Sequence, residues 1–238
     1  MHVRTRFGRG RRYGAAMAKV LLDIGAHSGE TLEVAMAPRW AFDRIHCIEP
    51  APQCWPRLEE LADDRVQIHR FGLWSSDATL ELHDPGMVGA SLFESKRRSG
   101  TSVEVELRDA ADWFEQHVSG DDEIVVKLNC EGAECDILDR LLAAGELSKV
   151  DEMVVHFDVR KVPGQAHREA ATRAALDAAE VPYRPAESIF FGRNVTEKTE
   201  NWLAWYDASG VARWRHSVLR RAEFAARTRL YRLRHRDG

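Results

Sequence analysis

Residues 19–29, K-V-L-L-D-I-G-A-H-S-G, leave the chain few ways to fold. An apolar run at 20–22 ends in Asp23, and Gly25 and Gly29 follow before a helix-like stretch at 30–37. That is a buried strand turning sharply into a helix through a glycine loop. Glycine serves where backbone must approach a ligand or take a positive φ. The exposed N–H groups at a helix start favour an anionic ligand group. A second strand, 44–48, runs into Glu49, 24 residues beyond Gly25. A carboxylate there can accept from both hydroxyls of a ribose. A nucleoside-bearing cofactor is therefore expected.

The glycine spacing narrows which one. A dinucleotide fingerprint needs G-x-G-x-x-G. Here Ala26, His27 and Ser28 separate the two glycines, so the middle glycine is missing and a diphosphate finds fewer close backbone approaches. Such a loop suits the aminoacyl end of S-adenosylmethionine, with Glu49 on its ribose.

Three blocks, L-L-D-I-G-A-H-S-G-E-T, I-H-C-I-E-P and V-V-K-L-N-C-E-G-A-E-C-D-I-L, together resemble the FkbM family of S-adenosylmethionine-dependent methyltransferases. E-G-A-E after an apolar strand is the most diagnostic part, and V-E-V-E-L-R-D-A-A-D-W-F at 103–114 resembles the family's preceding segment. The resemblance covers 19–159, with weaker support to Tyr206, and implies a seven-stranded Rossmann-like sheet. The chain departs from the family at Asn129, where relatives usually carry Asp; an amide cannot replace a carboxylate as a base.

Strand–helix alternation independently argues for an α/β, doubly wound, mostly parallel sheet with helices on both faces. Strands are expected at 19–24, 44–49, 66–71, 123–128 and 150–158. Helices are expected at 29–37, 52–62, 109–117, 133–143 and 166–179. Residues 78–83 and 102–107 alternate apolar and polar, the mark of half-exposed strands. The segment 84–94 between them, D-P-G-M-V-G-A-S-L-F-E, is either a loop near the substrate or a hairpin connection. An antiparallel pair, 188–192 with 202–206, is expected to close the sheet edge.

Charge divides the chain. The net charge is −4, yet 1–19 carries five Arg, one Lys and no acid, and 211–238 carries nine Arg against Glu223 and Asp237. The basic N-terminal extension, 1–18, is expected to be a solvated tail; Met17 opens a second start, so 1–16 needs no function. The methyltransferase domain is assigned to 19–210. At 211–238 an Arg-rich amphipathic helix is expected, packed on the acidic body or on a second subunit in a homo-oligomer, with peripheral membrane contact the less favoured use. No apolar run approaches the ~18 residues of a membrane span. The acidic body argues against nucleic acid as a partner. Cys47, Cys54, Cys130 and Cys135 form no C-x-x-C pair, as expected of reduced thiols in a cytoplasmic enzyme.

Ligands of open α/β sheets bind beyond the carboxyl ends of the strands. The cofactor set there is Asp23, Gly25, His27, Ser28, Gly29, Glu49, Pro50, Gly72, Leu73 and Asn129. Glu49 is the ribose acceptor, His27 faces the cofactor carboxylate or solvent, and Gly72 and Leu73 wall the adenine. The catalytic candidates are His156, because imidazole titrates near neutrality, then Glu131 and Asp158. A divalent metal such as Mg between Glu131, Asp158 and a sugar diol stays an open alternative, for which two carboxylates at unknown separation are weak evidence. The late aromatics, Phe190, Phe191, Trp202, Trp205 and Tyr206, serve either sugar stacking or ordinary packing under helices.

The expected activity is O-methylation of a small-molecule or glycan acceptor: a sugar, a glycan or a glycosylated natural product. The lean toward a saccharide rests on the family resemblance and an acidic pocket. Two rivals stay open at this point. One is a nicotinamide-dependent oxidoreductase on a related sheet; the other is a non-catalytic cofactor-binding partner subunit.

Overall fold

The computed structural model describes residues 17–189 and 191–208. The extension at 1–16 and the Arg-rich segment at 211–238 lie outside the described residues.

The core of the fold is a parallel sheet built from β1 (Lys19–Ile24), β2 (Arg44–Ile48), β3 (Val66–His69), β7 (Glu123–Leu128), β8 (Glu152–Val155) and β9 (Tyr183–Pro185). The strand order is β3-β2-β1-β7-β8-β9, and every pairing is parallel. Residues 20–24 of β1 and 124–128 of β7 are buried throughout, which is why both read as apolar runs apart from Asp23 and Lys127. The chain moves outward from β1 through β2 and β3, then returns to β1's other side with β7. That reversal opens a crevice at the carboxyl ends of β1 and β7.

Helices α1 (Glu30–Ala35), α2 (Trp55–Leu61), α3 (Ala110–His117), α4 (Glu134–Ala144) and α5 (Ala166–Ala178) connect or cover these strands. The core divides between the two faces of the sheet. Leu22, Ile24, Phe114, Leu138 and Phe157 belong to one cluster; Leu21, Leu32, Ile45, Leu58 and Trp202 belong to the other. All four cysteines are free thiols.

A smaller sheet interrupts the series. Its strands are β4 (Gly72–Trp74), β5 (Ala78–His83) and β6 (Ser102–Asp109), in the order β4-β6-β5. Val105 and Leu107 turn inward while Glu104 and Glu106 face water, as the alternation in sequence predicts. Gly72 and Leu73 thus belong to this second sheet and not to the end of β3.

Among the described residues the expected antiparallel pair does not form. Ser188 ends within a short helix, α6 (Ala186–Ile189), and 202–206 lies inside α7 (Val195–Asp207). Asn194 caps α7, its Oδ1 accepting from Glu197 N at 2.8 Å. The buried positions Thr199, Trp202, Leu203 and Trp205 recur at helical spacing and pack the helix against α1's side of the sheet. The run W-L-A-W-Y satisfies a period of two as well as 3.6; the cap upstream decides it. The sheet edge is filled by β9, parallel to β8, so the main sheet has six strands among the described residues instead of seven. Trp202 and Trp205 are core side chains, which excludes them as a sugar platform.

Trp202 is fully buried. Trp202→Ala is expected to cost about 3–5 kcal/mol of stability, measured by urea denaturation. A strand-edge tryptophan exposed on one face would lose far less.

Candidate active site

A cavity of about 200 Å³ occupies the crevice, far more than the ~10–15 Å³ one water needs. Of the expected residues, Gly25, His27, Glu49, Pro50, Gly72, Leu73, Asn129, Glu131 and His156 line it together. Asp23, Ser28, Gly29 and Asp158 do not.

The turn after β1 is clamped from both sides. Gly25 N and Ala26 N donate to Ile48 O at 2.9 and 3.1 Å. Gly25 has φ +78°, and a Cβ there would stand 2.0 Å from Asn129 O. Its glycine is required by the neighbouring strand end as much as by a ligand. Gly29 also has positive φ, but a Cβ there would meet Leu61 Cδ1 at 2.8 Å, so its role is the packing of α1 on α2. Ser28 turns to the Cys54 thiol.

Glu49 is buried, and its carboxylate is fixed by main chain. Oε2 accepts from His27 N at 2.8 Å and Oε1 from Ala51 N at 2.9 Å. Burial raises its pKa, against the opposing pull of those two amides. A carboxylate oxygen can accept two hydrogen bonds, so one position on each remains for a ligand diol. His27 is itself held, Nδ1 3.0 Å from Glu30 Oε1 and Nε2 3.3 Å from Gly86 O. The Glu30 hydrogen bond, opposed by burial, leaves the imidazole more basic than usual.

One further observation suits a ligand here. Asn129 Oδ1 is buried without a hydrogen-bond partner and belongs to a cavity-lining residue. Gly72 also lines the cavity, but a Cβ there would meet Leu107 Cδ2 at 2.6 Å, so packing against β6 requires its glycine. These residues fit a nucleoside cofactor with a polar amino-acid end. Among the described residues no group of three or more His, Cys, Asp or Glu could hold a metal ion.

Beneath the turn lies a buried ion pair that the sequence reading passed over. Asp23 and Lys127 face each other across β1 and β7, with Nζ 3.0 Å from Oδ1. Nζ also donates to Gly25 O. Burial pushes the Asp23 pKa up and Lys127 opposes it. For Lys127, Asp23 outweighs burial and holds the ammonium charged. A lone lysine within the apolar run E-I-V-V-K-L was the available signal.

The second turn, after β7, presents Glu131 with φ +50° and Gly132 with φ +121°. Glu134, also passed over, builds it: its carboxylate accepts from Cys130 N at 3.0 Å and from Gly132 N at 3.1 Å. The second acid of E-G-A-E is therefore structural. From above, Ser91 Oγ and Lys96 Nζ donate to Glu131 O at 2.8 and 2.7 Å, and Lys96 pairs with Oε2 at 2.7 Å. Segment 84–94 is thus a cavity wall and not a remote hairpin. Asp158 stands behind Glu131 and pairs with Lys161 at 2.7 Å, which holds its carboxyl low despite burial. Burial and then Lys127 push His156 down to about 4. It is a neutral, proton-accepting imidazole, but without the near-neutral titration that recommended it.

A model of the Methyltransferase FkbM domain matches residues 23–180. The chain belongs to the FkbM methyltransferase family. Among solved structures, it is similar to a crystal structure of methyltransferase FkbM from Methylobacillus flagellatus KT. They share 15% identity with a TM-score of 0.44, over 70% of this chain and 38% of that one. The chain spans well under half of that protein's length. No curated protein matches it. The FkbM match contains every cavity-lining residue except Val195 and Lys198, which come from α7.

Burial raises Glu134 to about 7, with Asp158 adding to the effect. A carboxyl whose folded pKa exceeds its unfolded value binds its proton more tightly when folded. The contribution of Glu134 to stability is therefore greatest below about 4.5 and falls as pH rises toward 7, by about 1–3 kcal/mol. Glu134→Gln, which stays neutral, is expected to lack that decline in denaturation curves taken across pH 4.5–7. Parallel curves would refute it.

Proposed function

We propose that this methyltransferase uses S-adenosylmethionine and methylates a hydroxyl of a sugar, glycan or glycosylated natural product. The observation that carries the cofactor reading is Glu49, a buried carboxylate oriented by two main-chain amides with one acceptor position left on each oxygen. When bound, the sulfonium supplies an activated methyl group together with its own leaving group.

The chain's residues do the rest. Glu49 holds the ribose, and the 25–27 turn with Asn129 takes the polar amino-acid end. Pro50, Gly72 and Leu73 flank the base. Positioning alone accounts for much of such catalysis, since nucleophile and methyl need only be held in line. An alcohol must also lose a proton whose acidity is near that of water, ~15.7. A base contributes about 10²–10⁴. His156 and Glu131 both border the cavity and are the candidates; Asp158 acts through Glu131. Asn129 orients and cannot take the proton.

Support for a hydroxyl acceptor is chemical: His156 and Glu131 offer proton acceptors at the cavity, and no N-P-P-Y-like amine-methylating motif occurs. The saccharide part rests on family habit.

Titration calorimetry with S-adenosylhomocysteine is expected to give heat, and NAD none. Glu49→Ala is expected to weaken binding about 10–100-fold, the worth of hydrogen bonds to a charged acceptor. Heat with NAD alone would sink the cofactor reading. Labelled methyl transfer to amines or carboxylates only, across a glycan panel, would sink the acceptor reading.

A further inference from the structure

The mouth of the cavity is unusually apolar for a solvent-facing surface. Among the described residues five large hydrophobic side chains are exposed: Met17, Leu80, Met87, Val88 and Val195. Three of them, Met87, Val88 and Val195, line this one cavity. Val88 is 77% exposed. Single exposed hydrophobics need no explanation, but a cluster at a pocket entrance marks a binding surface.

The loop carrying Met87 and Val88 is fixed in place. His83 and Ser91 exchange two backbone hydrogen bonds, 2.9 and 3.1 Å. Asp84 accepts from Arg98 N at 2.6 Å and Ser99 N at 2.8 Å. Gly86 and Gly89 take positive φ, bending the tip over the cavity. The two apolar side chains are thus held in water by a loop tied down at both ends.

Lys198 stands beside Val195 on α7 and also lines the cavity. The chain's other five lysines each meet a carboxylate: Lys19 with Asp207, Lys96 with Glu131, Lys127 with Asp23, Lys149 with Glu146 and Lys161 with Asp158. Lys198 makes no ion pair with a described residue. A half-buried ammonium at a pocket rim with no counter-charge among the described residues suits an anionic ligand group, because ligand charge there replaces solvent at low cost. Lys198 and His156 line the same cavity, so a group bound to Lys198 shares it with the proposed chemistry.

We infer that the acceptor carries an anionic group next to an apolar moiety, the anion on Lys198 and the apolar part on Met87, Val88 and Val195. This rests on the reading of the cavity as the methyl-transfer site, and it narrows the saccharide class to acidic sugars with an apolar aglycone. Val195 and Lys198 lie beyond the matched family domain, so this half of the selectivity belongs to the chain's own α7.

Two probes share an aglycone and differ in charge: 4-methylumbelliferyl glucuronide and 4-methylumbelliferyl glucoside. Calorimetry on the full chain with S-adenosylhomocysteine present is expected to show the glucuronide binding about tenfold more tightly. Lys198→Met is expected to erase that preference, while Val88→Ser weakens both probes alike. Heat with S-adenosylhomocysteine alone should be unchanged in both variants, which certifies the fold. A preference that survives Lys198→Met, no preference in the wild type, or no heat with either probe overturns the inference. Absent S-adenosylhomocysteine heat with an intact, Lys198-dependent glucuronide preference would instead overturn the cofactor reading and leave the anion site standing.

Discussion

The Lys127 ammonium sits between the two strands whose ends make the site, 3.0 Å from Asp23 and bonded to the Gly25 carbonyl. A charge so deeply placed is stable only if it is paired and hydrogen-bonded; removing one partner of such a pair typically costs 3–5 kcal/mol. Here the pair does more than neutralise itself. It ties the carbonyl of the first turn to the strand that leads into the second. Gly25 against Asn129 O leaves no room for a side chain between those turns. The cavity's floor is therefore set by main chain, and the separation of Glu49 from Asn129 and Glu131 follows from it.

The two turns divide the labour. The first delivers amides: His27 N, with Ala51 N beyond it, orients Glu49, and the strand ends supply neutral acceptors. The second delivers a carboxylate on a residue with φ +50°, a conformation uncommon outside glycine. Glu134 supports it from below through two amides, and Ser91 and Lys96 hold its carbonyl from above. A backbone of that shape survives because the surroundings over-determine it.

Much of this was legible in sequence. The buried run before Asp23, the glycine spacing and Glu49 specified the crevice, since each reflects local backbone geometry. Residues whose meaning depends on distant partners were harder to read. Asp23 reads as a site acid until Lys127 is placed across from it. Gly29 reads as a ligand glycine until Leu61 appears beneath it. Glu134 reads as an ordinary helix acid until it is seen holding the turn before it. The 202–206 run was misread because its apolar residues fit two periods at once. His156 was favoured on its solution pKa, which a buried position beside Lys127 changes.

The entrance loop is anchored on the carbonyl oxygen of position 131, with only Lys96 also reaching the side chain. The main-chain part of that anchor does not depend on the side chain at 131, whereas the Lys96–Oε2 pair does. The side chain at 131 could change with most of the roof's anchor intact, and the roof's apolar tip could be redrawn without touching position 131. In a scaffold of this kind, what the cavity admits and which side chain its floor presents can drift separately over evolutionary time.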